Sequence, residues 1–151
     1  MPTEIGGLPL HPLIVHATVV IVPLAALLVI ASVVSTRVRL WAGPLPMLAS
    51  LVGLVLTPLS TSSGENLEEQ VPVTDLVREH AELGDQLLIF TGLLFVLALA
   101  HWLLGRRTGV AKAWVSAVAV LAVLAGVATM VQLVRIGHSG AEAAWSDTPV
   151  S

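Results

Sequence analysis

Cysteine is absent from the chain, and charge is scarce. The first absence excludes disulfides, iron–sulfur clusters, thiolate zinc sites and covalent c-type haem attachment. The second argues against an ordinary soluble domain: 11% of the 151 residues are charged, where soluble domains carry roughly a quarter. No Lys or Arg stands among the first seven residues, which hold Glu4 instead, and no small-residue cleavage site follows a short apolar core. A signal peptide needs both features, so the first greasy segment is expected to stay as an anchor. Catalytic signatures are missing as well. His80-Ala81-Glu82 lacks the second histidine of a His-Glu-x-x-His helix. Ser62-Ser63-Gly64 is no Gly-x-Ser-x-Gly nucleophile elbow. Neither a phosphate-binding glycine loop nor a basic–aromatic surface for nucleic acid is evident, and no internal repeat stands out.

What the chain has instead is apolar length. It is 56% hydrophobic, with a mean hydropathy of +0.91. Spanning about 30 Å of hydrocarbon takes roughly 20 apolar residues, and four runs qualify: 13–36, 40–60, 84–105 and 113–136. Isolated runs in lipid close their backbone hydrogen bonds as helices. The expected fold is therefore all-α, a four-transmembrane-helix antiparallel bundle forming one integral membrane domain over 1–151. Helix one starts at His11-Pro12, since proline suits a first turn, and Pro23 is a candidate kink. Arg37-Val38-Arg39 reads as a tight turn, and helix two ends near Pro58. Residues 61–74 read as a polar loop. Thr74 and Asp75 suit the start of helix three, Gly137 suits the end of helix four, and 142–151 reads as a loose tail.

Charge orients these spans. Arg37, Arg39, Arg106, Arg107 and Lys112 occupy the turns after helices one and three, which hold no acid, and all ten acids lie elsewhere. The positive-inside rule places the basic turns in the cytoplasm. Both termini, the Glu-rich segment, and His11, His16, His80 and His138 then fall outside. Trp41, Trp102, Trp114 and Trp145 read as interfacial belt residues. His101, beside Trp102, reads as an interface residue at the inner end. It lies 21 positions from His80, roughly 31 Å along a helix, too far to share a ligand set.

Ionisable residues at membrane depth are expensive and mark functional sites by default. Three chemistries are open at the outer face. Haem b could be held by His80 with His16 or His138, Gly84 leaving bare surface for the macrocycle and Arg135 holding a propionate. Two axial histidines make an electron carrier. A divalent metal such as zinc could take His11, His16, His80 and His138 with Glu65, Glu82 or Asp85. The third is no cofactor, the histidines capping helices and bonding carboxylates.

Gly7-Leu8-Pro9-Leu10-His11-Pro12-Leu13-Ile14-Val15-His16, Ser63-Gly64-Glu65, His80 with Leu83-Gly84-Asp85, and Gly137-His138-Ser139-Gly140-Ala141 with Trp145 resemble a bacterial four-helix membrane family. It is catalogued as domain-of-unknown-function family 2231. The resemblance covers nearly the whole chain. It implies a multi-pass protein of the bacterial inner (cytoplasmic) membrane, and it implies no activity. The expected function is an extracytoplasmic histidine/carboxylate site binding haem b or another metal for electron transfer. The alternatives are a non-catalytic membrane subunit or scaffold, and a metal-dependent hydrolase using Glu82 as base. The expected partners are the lipid bilayer and either a redox partner or a second copy of the chain, with no nucleic acid.

Overall fold

The computed structural model describes residues 4–5, 8–69 and 74–145. Two short strands, β1 (Glu4–Ile5) and β2 (Leu8–Pro9), pair antiparallel. They add a small sheet to a chain expected to be all helix. Five helices follow: α1 (Leu10–Val34), α2 (Thr36–Ala42), α3 (Leu45–Glu68), α4 (Asp75–Gly105) and α5 (Lys112–Trp145). α1, α3, α4 and α5 are each long and apolar enough to cross a membrane. α1 packs chiefly on α3 and α4 on α5, while α3–α4 and α1–α5 contacts close the ring and α1 barely meets α4.

Several helix boundaries differ from the sequence expectation. The run 37–39 is no bare turn but the middle of α2. Ser35 caps α2 by accepting the Val38 N–H, and Gly43 ends it at φ 53°, a conformation that favours glycine. Helix two does not stop at Pro58, and the expected polar loop from 61 is helical: α3 continues to Glu68. Proline removes one helix hydrogen bond, but polar side chains brace the turns around and beyond it. Thr61 Oγ1 donates to the Pro58 carbonyl at 3.2 Å, Ser63 Oγ to Ser60 at 2.8 Å, and Asn66 Nδ2 to Ser62 at 2.6 Å. Thr74 does cap α4, accepting the Val77 N–H at 3.3 Å. α5 passes through Gly137, the expected terminus, and on to Trp145, so 142–145 is helix rather than loose tail. Residues 70–73 of the expected loop and 146–151 of the expected tail lie outside the described residues.

Small and hydroxylated residues dominate the interior. Lipid offers no hydrophobic force between helices, so association rests on close packing and hydrogen bonds. An apolar cluster of Ala26, Val29, Leu94, Ala98 and Ala122 fills the half of the bundle toward the arginines. The other half buries polar groups among Val22, Leu83 and Leu87: Thr57 Oγ1 meets Thr91 Oγ1 at 3.3 Å, and Gln132 Nε2 donates to the Leu83 carbonyl at 2.9 Å. Leu24, Leu27, Val55, Ile89, Val96 and Leu124 are among the large apolar side chains left exposed on the surface.

The burial pattern contains a repeat that residue identities hide. Counting from His11, the buried positions include i+7, i+11, i+14, i+18 and i+21: Thr18, Val22, Ala25, Val29 and Ser32. Counting from His80, the same offsets give Leu87, Thr91, Leu94, Ala98 and His101, all buried. On the companion helices, counting back from Ser63 by 10, 13 and 17 gives Gly53, Ser50 and Pro46, and from Ser139 gives Thr129, Gly126 and Ala122, again all buried. The pair α1–α3 and the pair α4–α5 thus follow one plan.

A tight contact tests this packing. A Cβ on Gly126 would lie 2.8 Å from Ile30 Cγ1 and 2.9 Å from its Cδ1. Gly126→Ala is expected to destabilise the detergent-solubilised protein by about 1–3 kcal/mol, the usual cost of overpacking. Combining it with Ile30→Ala should recover part of that loss, a favourable coupling readable in thermal melts.

Candidate functional site

His11 stands in the first turn of α1 and His80 in the second turn of α4, both half-buried. Each meets a serine near the end of its companion helix. His11 Nδ1 lies 3.0 Å from Ser63 Oγ, and His80 Nδ1 lies 3.1 Å from Ser139 Oγ. The serine protons are already committed to backbone carbonyls, Ser63 to Ser60 at 2.8 Å and Ser139 to Ile136 at 3.1 Å. A hydroxyl has one proton to give. In the Nδ1–H tautomer each imidazole donates to the serine oxygen, and the Ser60 carbonyl is a further acceptor beside His11. The residue after each serine is glycine, and the histidine ring lies against it. A Cβ on Gly64 would lie 3.1 Å from His11 Cε1, and one on Gly140 would lie 2.9 Å from His80 Cε1. The two rings come from α1 and α4, which barely meet.

The other expected site residues lie around this pair. His16 is exposed and turns its Nδ1 back to the Pro12 carbonyl of its own helix. His138 is 75% exposed at its side chain, with Nε2 3.4 Å from Glu142 Oε1. Glu65, Glu82 and Asp85 are exposed. Arg135 donates to Gln132 Oε1 at 3.3 Å. Gly84 is open: a Cβ there would meet only Thr61 Cγ2, at 3.9 Å. Among the described residues, no three His, Asp or Glu side chains come together around a common metal position. His11, rather than His16 or His138, is the histidine that shares with His80 a half-buried place against a Ser-Gly pair.

His101 corrects its sequence reading. It is 7% exposed, a core residue rather than an interface one. The Ser32 carbonyl and Arg39 are its polar surroundings, and among the described residues its Nε2 has no hydrogen-bond partner. Arg106 stacks over the neighbouring Trp102 at 4.9 Å. Trp41, Trp114 and Trp145 are exposed, as belt residues are.

Sequence reasoning picked out both Ser-Gly dipeptides as family motifs but not as the histidines' partners. The available signal was a histidine near one helix start and a Ser-Gly near the end of the next. The serine contacts make a spectroscopic prediction. In ¹⁵N-histidine NMR spectra of the protein, His11 and His80 are expected to show the Nδ1–H tautomer. Ser139→Ala should move His80 toward the Nε2–H form and leave His11 unchanged, and an unchanged His80 would break the assignment.

Among curated proteins and among solved structures none matches the chain. The profile of the family described as "Predicted membrane protein (DUF2231)" matches residues 7–149. With four membrane-length helices and that match over almost its whole length, the chain belongs to this family of membrane proteins.

Proposed function

We propose that the chain is a multi-pass protein of the bacterial inner membrane that holds a metal cofactor for electron transfer between His11 and His80, at its extracytoplasmic end. The observation that carries this reading is the paired Nδ1–H to serine hydrogen bond. Metal-bound histidines characteristically donate the other ring N–H to a fixed acceptor, which sets the tautomer and raises the basicity of the ligating nitrogen. Both imidazoles here have that arrangement, with Nε2 as the ligating atom. The polar interior below them, with Thr57, Thr91 and Gln132, suits a site entered from that end.

The topology in this reading is an antiparallel bundle with both termini outside. Arg37, Arg39, Arg106, Arg107 and Lys112 then stand in the cytoplasm, where basic loops are retained. The redox partner would dock at the outer face and exchange single electrons with the cofactor. A second reading, a non-catalytic membrane subunit, is favoured by one observation: each imidazole also bridges two helices and covers a glycine.

Two measurements test these statements. Because the chain has no cysteine, single cysteines placed at Glu69 and Thr108 report topology without background. Glu69 is expected to be labelled from outside and Thr108 only from within, and labelling of both from one side would end the four-span arrangement. For the site, protein purified in detergent from its native membrane is expected to carry a stoichiometric transition metal by elemental analysis. His80→Gln should remove it while helicity and melting stay near wild type. Metal-free wild-type protein that also takes up none on supplementation would favour the non-catalytic subunit.

A further inference from the structure

We propose that the basic end of the bundle is a docking surface for the phosphate headgroups of anionic phospholipid, of which phosphatidylglycerol is the simplest. This surface lies away from the histidines and does not depend on what they hold. Arg37 and Arg39 lie on α2, Arg106 and Arg107 follow α4, and Lys112 opens α5. One core cluster joins Val29 and Val33 near the end of α1, Met47 near the start of α3, Leu97 and Ala98 near the end of α4, and Ala122 on α5. That packing gathers both basic turns at one end of the bundle. No acid stands between Ile5 and Gly64 or between Gln86 and Ala141. Among the described residues none of the five cations is paired with a carboxylate, the ion pair present being His138 with Glu142 at the other end.

The side chains at this end suit a bilayer boundary. Arg37, Arg106, Arg107 and Lys112 are exposed, and Arg39 is half-buried. On α2, Leu40 and Trp41 are each 78% exposed, and Trp114, two residues after Lys112, is 70% exposed. Bare apolar side chains beside cations fit the level where rings and chains enter the acyl region and the cations meet phosphate. Arg106 is prepared for such a contact. Its guanidinium lies over the Trp102 ring, 4.9 Å from the centroid. Stacking occupies the flat face of the group, so its edge N–H donors stay free for an oxyanion. Like charges gathered at one end repel one another, and a phosphodiester is the anion that a membrane surface supplies to relieve them. Leu40 and Trp41 favour lipid over a free anion, which would leave both in water.

The experiment reconstitutes the full-length protein in bilayers of phosphatidylcholine and phosphatidylglycerol, with bromine on the chains of one lipid or the other. Brominated chains quench the tryptophans they touch, and Trp41, Trp102 and Trp114 belong to the basic end. Trp145→Phe removes the signal of the far end. Phosphatidylglycerol is expected beside these tryptophans in preference to phosphatidylcholine by about fivefold or more, the scale for one basic residue at an anionic surface. Salt at about 1 M, where screening acts beyond about 3 Å, should bring the preference toward unity. So should the quadruple variant Arg37→Gln, Arg106→Gln, Arg107→Gln and Lys112→Gln, whose helicity and melting should hold because these side chains are exposed. Arg78→Gln with Arg135→Gln, which removes cations from the histidine end, should leave the preference unchanged. Equal quenching by both lipids in wild-type protein, or a preference that survives the quadruple variant or the salt, would overturn the proposal. Loss of the preference in the Arg78 and Arg135 variant would overturn it in favour of overall charge. Stronger release of the lipid by sodium phosphate than by sodium chloride at equal ionic strength would replace the lipid surface with a free-anion site.

Discussion

Backbone proximity at small residues is the constraint on which this bundle depends. Lipid tails are as apolar as leucine, so helices gain little by hiding leucine from them. They gain by touching closely. Val22 rests on Gly53, Ile30 on Gly126, His11 on Gly64 and His80 on Gly140. Each contact sets a side chain of one helix against the bare backbone of another. Three of them join α1 to its neighbours and the fourth joins α4 to α5. The histidines are thus part of the packing scheme as well as of the polar site, and substitutions there are best judged with a donor-retaining residue.

Polarity is distributed to match. Hydroxyls inside the bundle satisfy themselves on their own helices, as Thr57 does on Gly53 and Thr129 on Ala125. This permits a polar interior without stranded groups. The departure is His101, whose Nε2 lacks a partner among the described residues in a position more than nine-tenths buried. An unmet buried acceptor costs about 1–3 kcal/mol, so this end of the bundle carries a local expense that His11 and His80, only half-buried, do not.

The four membrane helices were legible in the sequence because apolar length in lipid admits few alternatives. Thr74 was legible as a cap because its side chain acts on its own turn. The ends of α3 and α5 were not. Pro58, the polar run from Ser60 and Gly137 are local stop signals, and contacts with distant residues override them: Ser63 and Gly64 receive His11, and Ser139 and Gly140 receive His80. The same reason hid the likeness between His11 and His80. Sequence spacing marked four histidines at one end, but only side-chain direction separates the two that turn inward from His16 and His138, which stay at the surface. The repeat escaped notice because it lies in burial, with Val22 standing where its counterpart is Thr91, and Ser32 where its counterpart is His101.

The division into two like pairs also bears on how the protein is made. α1 to α3 leave the ribosome before α4 and α5, and they already contain His11 with both its serine and its glycine. The contacts that seat the first ring thus all lie within the first half of the chain. The second brings its own histidine, serine and glycine and needs no residue of the first to orient its ring. A cut between Glu69 and Thr74 would turn the docking of the two halves into a bimolecular step without removing any contact within either half.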